Sequence, residues 1–136
     1  MKKRINFFIL LIMFVMVTPS FAFTNICEMG KKALGMTTAQ MKEFYEDNFK
    51  FGRIEGNGEV YDVTVDSNNN CTVIVRCESN VFIYIDAGDY WGSKQELTIG
   101  QKISFTGDCS NLDRQYFQNS EKRYIRAFVN DPFLKY

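Results

Sequence analysis

The chain of 136 residues contains no histidine. This absence excludes Ser-His-Asp and Cys-His catalysis, and it excludes any metal site with a histidine ligand. The glycine-rich stretch from Gly52 to Gly58 lacks the terminal lysine of a phosphate-binding loop. Two carboxylate pairs, Asp86 with Asp89 and Glu55 with Glu59, are the remaining acid–base candidates, but paired charges at strand ends are usually plain surface charge. We therefore expect a protein that is not an enzyme and that needs no cofactor.

The four cysteines lack the Cys-x-x-Cys spacing of a zinc or dithiol redox site. They are Cys27, Cys71, Cys77 and Cys109. An even number of cysteines in a small exported domain predicts two disulfides, for which three connectivities are possible. One bridge with two free thiols is the alternative. No metal ligand set is expected among them.

A long apolar run occurs at the N-terminus, where Lys2, Lys3 and Arg4 precede the stretch from Ile5 to Val17. The segment Pro19-Ser20-Phe21-Ala22 then supplies small residues for cleavage after Ala22. The run of about 13 residues is shorter than the roughly 20 that cross a bilayer. Residues 1–22 are therefore predicted to be a cleaved signal peptide. The mature protein would be periplasmic or secreted, with no transmembrane anchor.

Charge argues against a dedicated nucleic-acid-binding protein. Removal of the signal peptide would leave 13 basic residues against 16 acidic ones. A protein that binds nucleic acid needs a basic face to release counterions from the phosphates. A modest basic cluster near the C-terminus is usually just a solvated face; it comprises Arg114, Lys122, Arg123 and Arg126.

Residues 23–49 are predicted to form a helical segment that packs on a barrel. A first helix from Asn25 to Leu34 would end in a left-handed cap at Gly35. A second helix would begin at Thr37, which forms a capping box with Gln40. Its apolar stripe has the spacing of one helix face and indicates packing on the barrel, with a partner-binding surface as the alternative; the stripe consists of Met41, Phe44 and Tyr45.

From residue 50 to residue 136 the hydrophobic period is 2, which is typical of strands. The predicted strands are 51–65, 71–77, 81–86, 100–109 and 123–129. Asp66–Asn70 is a predicted turn, 113–122 a polar loop, and Pro132 the end of the last strand. Five strands with a long, glycine-broken first one predict a mainly β fold, a five-stranded OB-fold-like barrel with an N-terminal helical segment.

The sequence resembles the exported, tRNA-anti-like OB-fold family. The matching positions are Tyr45-x-x-Asn48, Gly58-Glu59-Val60 and Leu97-x-x-Gly100-Gln101-x-Ile103-x-Phe105-x-Gly107-x-Cys109. The resemblance implies the fold and, by analogy only, nucleic-acid binding. It also implies a Cys77–Cys109 bridge, which would leave Cys27 to pair with Cys71.

Binding is the function that these features favour. OB barrels bind ligands across their second and third strands and the flanking loops. The candidate binding residues there are Arg76, Phe82, Tyr84, Tyr90 and Trp91. Aromatic rings stack on bases and on sugars alike, although these rings could equally just cover the barrel. We expect a non-enzymatic binding module of the bacterial envelope whose partner is a protein, a peptide or a glycan. The alternatives are a glycan-binding toxin-type B subunit and a single-stranded nucleic-acid-binding protein. The sequence does not predict the oligomeric state.

Overall fold

The structure is a computed structural model that describes residues 23–50, 52–78, 80–89 and 97–135. The predicted signal peptide and two of the candidate binding residues, Tyr90 and Trp91, lie outside the described residues. The elements in chain order are β1 (Thr24–Asn25), α1 (Ile26–Ala33), α2 (Thr38–Asn48), β2 (Arg53–Val65), β3 (Cys71–Arg76), β4 (Val81–Gly88), β5 (Lys102–Tyr116) and β6 (Arg123–Lys135).

Both predicted helices are present, and side chains cap their first turns. The Asn25 side chain accepts hydrogen bonds from the first backbone amides of α1. The capping box of Thr37 and Gln40 is confirmed, since each side chain bonds the backbone N–H of the other residue. The predicted left-handed cap at Gly35 is wrong: α1 ends at Ala33, its C-cap residue Leu34 has right-handed helical geometry, and Gly35 has no positive φ. Neither of these helices is long and apolar enough to cross a membrane.

The strands close into a five-stranded OB-fold-like barrel, as predicted. They lie in the order β2-β3-β4-β6-β5, and β5 pairs again with β2 to complete the circle. All barrel pairings are antiparallel except that between β4 and β6. Strand β2 reaches both neighbours because its first half pairs with β5 and its second half with β3. Gly58 lies at this changeover, where an added Cβ would collide with the backbone of β3.

Alternating apolar side chains fill the barrel, and α1 covers one of its ends. The inward residues of β3 and β4 are fully buried; they include Val73, Val75, Ile83 and Ile85. Helix α1 contacts β2, β4 and β6. Its Gly30 lies so close to the barrel that an added Cβ would be 2.7 Å from a methyl group of Val81. Helix α1 therefore packs directly on the barrel.

The last two strands are longer than predicted. Residues 113–116, expected in a loop, continue β5 because their polar side chains face outward while the backbone pairs with β6. Pro132 lies within β6 and does not end it. It follows Asp131, which has a φ of 47°, at a register shift between β5 and β6. A bulge of this kind is where a strand tolerates proline.

The predicted cysteine pairing is wrong. The structure joins Cys27 to Cys77, with 5.5 Å between their Cα atoms, whereas Cys71 and Cys109 are unbonded and buried. Cys77 directly follows β3 at the barrel end where α1 begins, so it lies next to Cys27. Cys71 starts β3 and therefore lies at the other end of that strand. One bridge with two free thiols is the alternative that the structure supports.

Candidate functional site

The outward side of β4 and β6 carries a group of aromatic side chains beside one arginine. In β4, Phe82 and Tyr84 alternate with the inward Val81, Ile83 and Ile85. Because β4 and β6 run parallel in register, Phe82 and Tyr84 lie opposite Arg126 and Phe128. We call this surface the outer face; its residues are Tyr61, Phe82, Tyr84, Phe117, Tyr124, Arg126 and Phe128.

One half of the outer face is an apolar hollow of about 160 Å³. Its rings pack edge to face or tilted, with Phe82 at the centre: the ring centroids lie 5.1 Å from Tyr61, 5.5 Å from Tyr124 and 6.3 Å from Phe117. Phe82 is only 7% exposed, whereas Tyr61 and the neighbouring Tyr116 are 51% and 58% exposed. Phe82 therefore supports the other rings from below, and Tyr61 and Tyr116 form the accessible rim.

Arg126 lies beside the rings of Tyr84 and Phe128 and is held there by Asp113. Its guanidinium donates two hydrogen bonds to Asp113, at 2.9 and 2.7 Å. It also lies 5.7 Å from the ring centre of Tyr84 and 5.3 Å from that of Phe128. The hydrogen bonds to Asp113 raise the pKa of Arg126, and burial is the main cause that raises the pKa of Tyr84. At neutral pH the outer face thus presents a neutral phenol beside a charge-paired arginine.

The other half of the outer face, around Tyr84 and Phe128, borders a polar groove. This groove crosses four neighbouring strands next to the turn between β2 and β3. Its volume is about 540 Å³. It is lined by Asp66, Asn70, Thr72, Tyr84, Asp86, Ser110, Asn111, Phe128 and Asn130. No lysine or arginine is among these lining residues. Tyr84 lines both the hollow and the groove, so the hollow and the groove form one continuous surface.

Of the candidate binding residues within the described part of the chain, two belong to this surface. Tyr84 is at its centre and Phe82 is its buried support. Arg76 lies opposite Phe82 on β3, but it forms an ion pair with Glu59 at 3.6 Å and lines a separate depression next to the disulfide. The structure therefore does not bring Arg76 into the hollow or the groove.

Sequence reasoning missed residues of β5 and β6 that complete the surface. Asp113 was assigned to a loop, and the groove residues Ser110 and Asn111 were not considered. The alternation of Tyr124, Arg126 and Phe128 along the last predicted strand was the signal that could have revealed it. The sequence does not show which strand lies next to β4, because the parallel pairing of β4 with β6 is a property of the topology.

Three of the four C-terminal basic side chains make local contacts, whereas Lys122 is an exposed residue. Arg126 binds Asp113, Arg123 lies over the ring of Tyr116, and Arg114 donates a hydrogen bond to the carbonyl oxygen of Met36. Their charges are thus used in three different local contacts. Among the described residues, no group of three cysteine or acidic side chains is arranged to hold a metal ion.

No family model matches the sequence, and no curated protein is detectably similar to it. The resemblance to the exported, tRNA-anti-like OB-fold family therefore stays a prediction.

Proposed function

We propose that this protein is a non-enzymatic binding module of the bacterial cell envelope, and that its partner binds to the outer face. Export is inferred from the predicted signal peptide, and the absence of histidine argues against the common modes of catalysis. The observation that carries the proposal is the outward position of the aromatic cluster. A barrel whose interior is already filled by aliphatic side chains and Phe105 does not need these outward rings to complete its core.

The geometry of the hollow supports contact with a partner. Large aromatic side chains and arginine are the residues that contribute most to binding at interfaces. Here the supporting ring, Phe82, is buried and the arginine is fixed by two hydrogen bonds, so little conformational entropy is lost when a partner binds. The exposed rim offered by Tyr61 and Tyr116 is what a partner would touch first.

Site-specific photo-crosslinking in living cells tests this proposal. A photoreactive phenylalanine analogue replaces Tyr116 at the rim of the hollow, or Phe133 on a part of β6 outside it. The two positions are matched, since both are aromatic and exposed, by 58% and 68%. We expect a discrete crosslinked product from position 116 and none from position 133. Equal products from both positions, or no product from either, would refute the proposal.

A further inference from the structure

We infer that the polar groove binds an uncharged oligosaccharide; this inference rests on the proposed binding function and names the class of ligand. The groove combines two partly exposed aromatic rings, Tyr84 and Phe128, with a rim of small polar side chains. The ring centroids lie 5.3 Å apart and the ring planes are inclined by only 32°. Together they form an apolar platform on which the C–H-rich face of a sugar ring can lie, with its hydroxyl groups directed at the rim.

The rim provides the hydrogen-bonding groups that sugar hydroxyls require. A hydroxyl both donates and accepts, so it is matched by carboxylate acceptors next to amide or hydroxyl donors. Asp86 uses one carboxylate oxygen to accept the N–H of Gly88, and Asn111 uses its side-chain oxygen to accept the N–H of Leu112. The other Asp86 oxygen, the Asn111 amide N–H₂ and the Thr72 hydroxyl have no hydrogen-bond partner among the described residues. Within the part of the chain that the structure describes, these three groups can therefore bind a ligand.

The charge of the groove selects against anionic ligands. It is lined by two carboxylates and by no cationic side chain, and Asp113 neutralises the nearby Arg126. Hydrogen bonds from Asn70 and Asn68 lower the pKa of Asp66, so this residue is ionised at neutral pH. A phosphate backbone, or a sugar that carries a carboxylate, would therefore meet like charge. Neutral hexoses and N-acetylhexosamines do not incur this repulsion.

The test is a titration of the ¹⁵N-labelled protein, followed by two-dimensional NMR. The neutral probes are cellotriose, maltotriose and the trimer of N-acetylglucosamine, and the anionic probes are sialyllactose and a ten-residue oligothymidine. We expect at least one neutral trisaccharide to shift the backbone amide signals of Thr72, Tyr84 and Asn111 in a saturable way. The anionic probes should leave these signals in place.

Two matched variants locate the binding. Thr72→Val removes one hydroxyl from the groove at nearly constant volume, and Thr106→Val makes the same change on β5 outside the groove. We expect Thr72→Val to weaken binding of the neutral sugar by about fivefold, because one hydrogen bond contributes on the order of 1 kcal/mol. Thr106→Val should leave the dissociation constant unchanged. The NMR spectrum of each variant reports whether it has folded.

Three outcomes would overturn the inference. They are no shift with any neutral sugar, tighter binding of an anionic probe, and shifts that lie outside the groove. In each case a specific crosslink from position 116 would still support the proposed binding function. If that crosslink is absent while a neutral sugar binds saturably, the result supports the sugar site and contradicts a macromolecular partner.

Discussion

Removing the Cys27–Cys77 disulfide should strongly destabilise the fold. The bridge joins residues 50 positions apart, and by the chain-entropy relation a closed loop of that length stabilises the native state by about 4 kcal/mol. Small domains have a total stability of roughly 5–15 kcal/mol. The loss should lower the urea midpoint by about 2–3 M, since a domain of this size loses about 1.5 kcal/mol of stability per molar urea.

A double-mutant cycle makes this prediction specific to the pairing. Cys27→Ala, Cys77→Ala and the double variant each remove the same bridge, so all three should lose about the same 4 kcal/mol. Both side chains are partly exposed, and truncation to alanine therefore adds little cost of its own. The assay is urea unfolding followed by far-UV circular dichroism, with and without reductant. The double variant should not respond to reductant.

Additive losses would refute the pairing. If Cys77 bonded to Cys109 and Cys27 to Cys71, the two single variants would break different bridges, and the double variant would lose about the sum of their effects. Peptide mapping by mass spectrometry under non-reducing conditions provides the independent control. It should recover a Cys27–Cys77 crosslinked peptide, with Cys71 and Cys109 as free thiols.

Three further predictions concern the barrel. Asp113→Asn should lower the free energy of unfolding in urea by about 1–2 kcal/mol, because it weakens the paired hydrogen bonds to the half-buried Arg126. Gly58→Ala should cost about 1–3 kcal/mol because its Cβ overlaps the backbone of β3, whereas Gly35→Ala, with open space around it, should not destabilise; thermal melts of both variants check this. Burial raises the pKa of Cys109 to about 12 from an ordinary value of 9.0. As the pH rises, the thiol of the unfolded chain therefore ionises before the thiol of the folded protein. The stability that the buried, neutral thiol contributes is complete below pH 9 and is lost between pH 9 and 12. Cys109→Ala should flatten this part of the stability–pH curve in urea titrations; an unchanged slope would contradict the assignment.

The fold was predictable because its local signals agree with one another. The period-2 alternation of Val81, Ile83 and Ile85 placed β4 correctly, and the Thr37–Gln40 capping box placed the start of α2. The extension of β5 through 113–116 was not predictable from local sequence. Polar residues there resemble a loop, and only the pairing with β6 and the hydrogen bonds from Arg126 to Asp113 make them a strand.

The candidate site was predictable only in part. Phe82 and Tyr84 were predicted from their place on the third barrel strand, and Arg76 was predicted from its place on the second. The ion pair of Arg76 with Glu59 follows from the register of β2 on β3, which local sequence does not determine. The groove could not be predicted, since its lining comes from four strands and a turn that meet only after the barrel closes. The disulfide pairing was predicted wrongly for the same reason, because the relative position of α1 and the end of β3 is a tertiary property.

The place of β6 in the sheet has a consequence for the order of events during synthesis. This strand follows the other five in the chain, yet it lies between β4 and β5, and its Ile125 contacts the same side of α1 as Val81 does. An emerging chain that lacks residues 123–135 therefore has an open sheet, and its first helix has no complete surface to pack on. We expect the barrel to form in one step once β6 has been synthesised, since its stabilising contacts join distant parts of the chain. Until then the chain would expose its strand edges and thiols, so the 13 residues of β6 determine when it becomes protected from aggregation and mispaired disulfides.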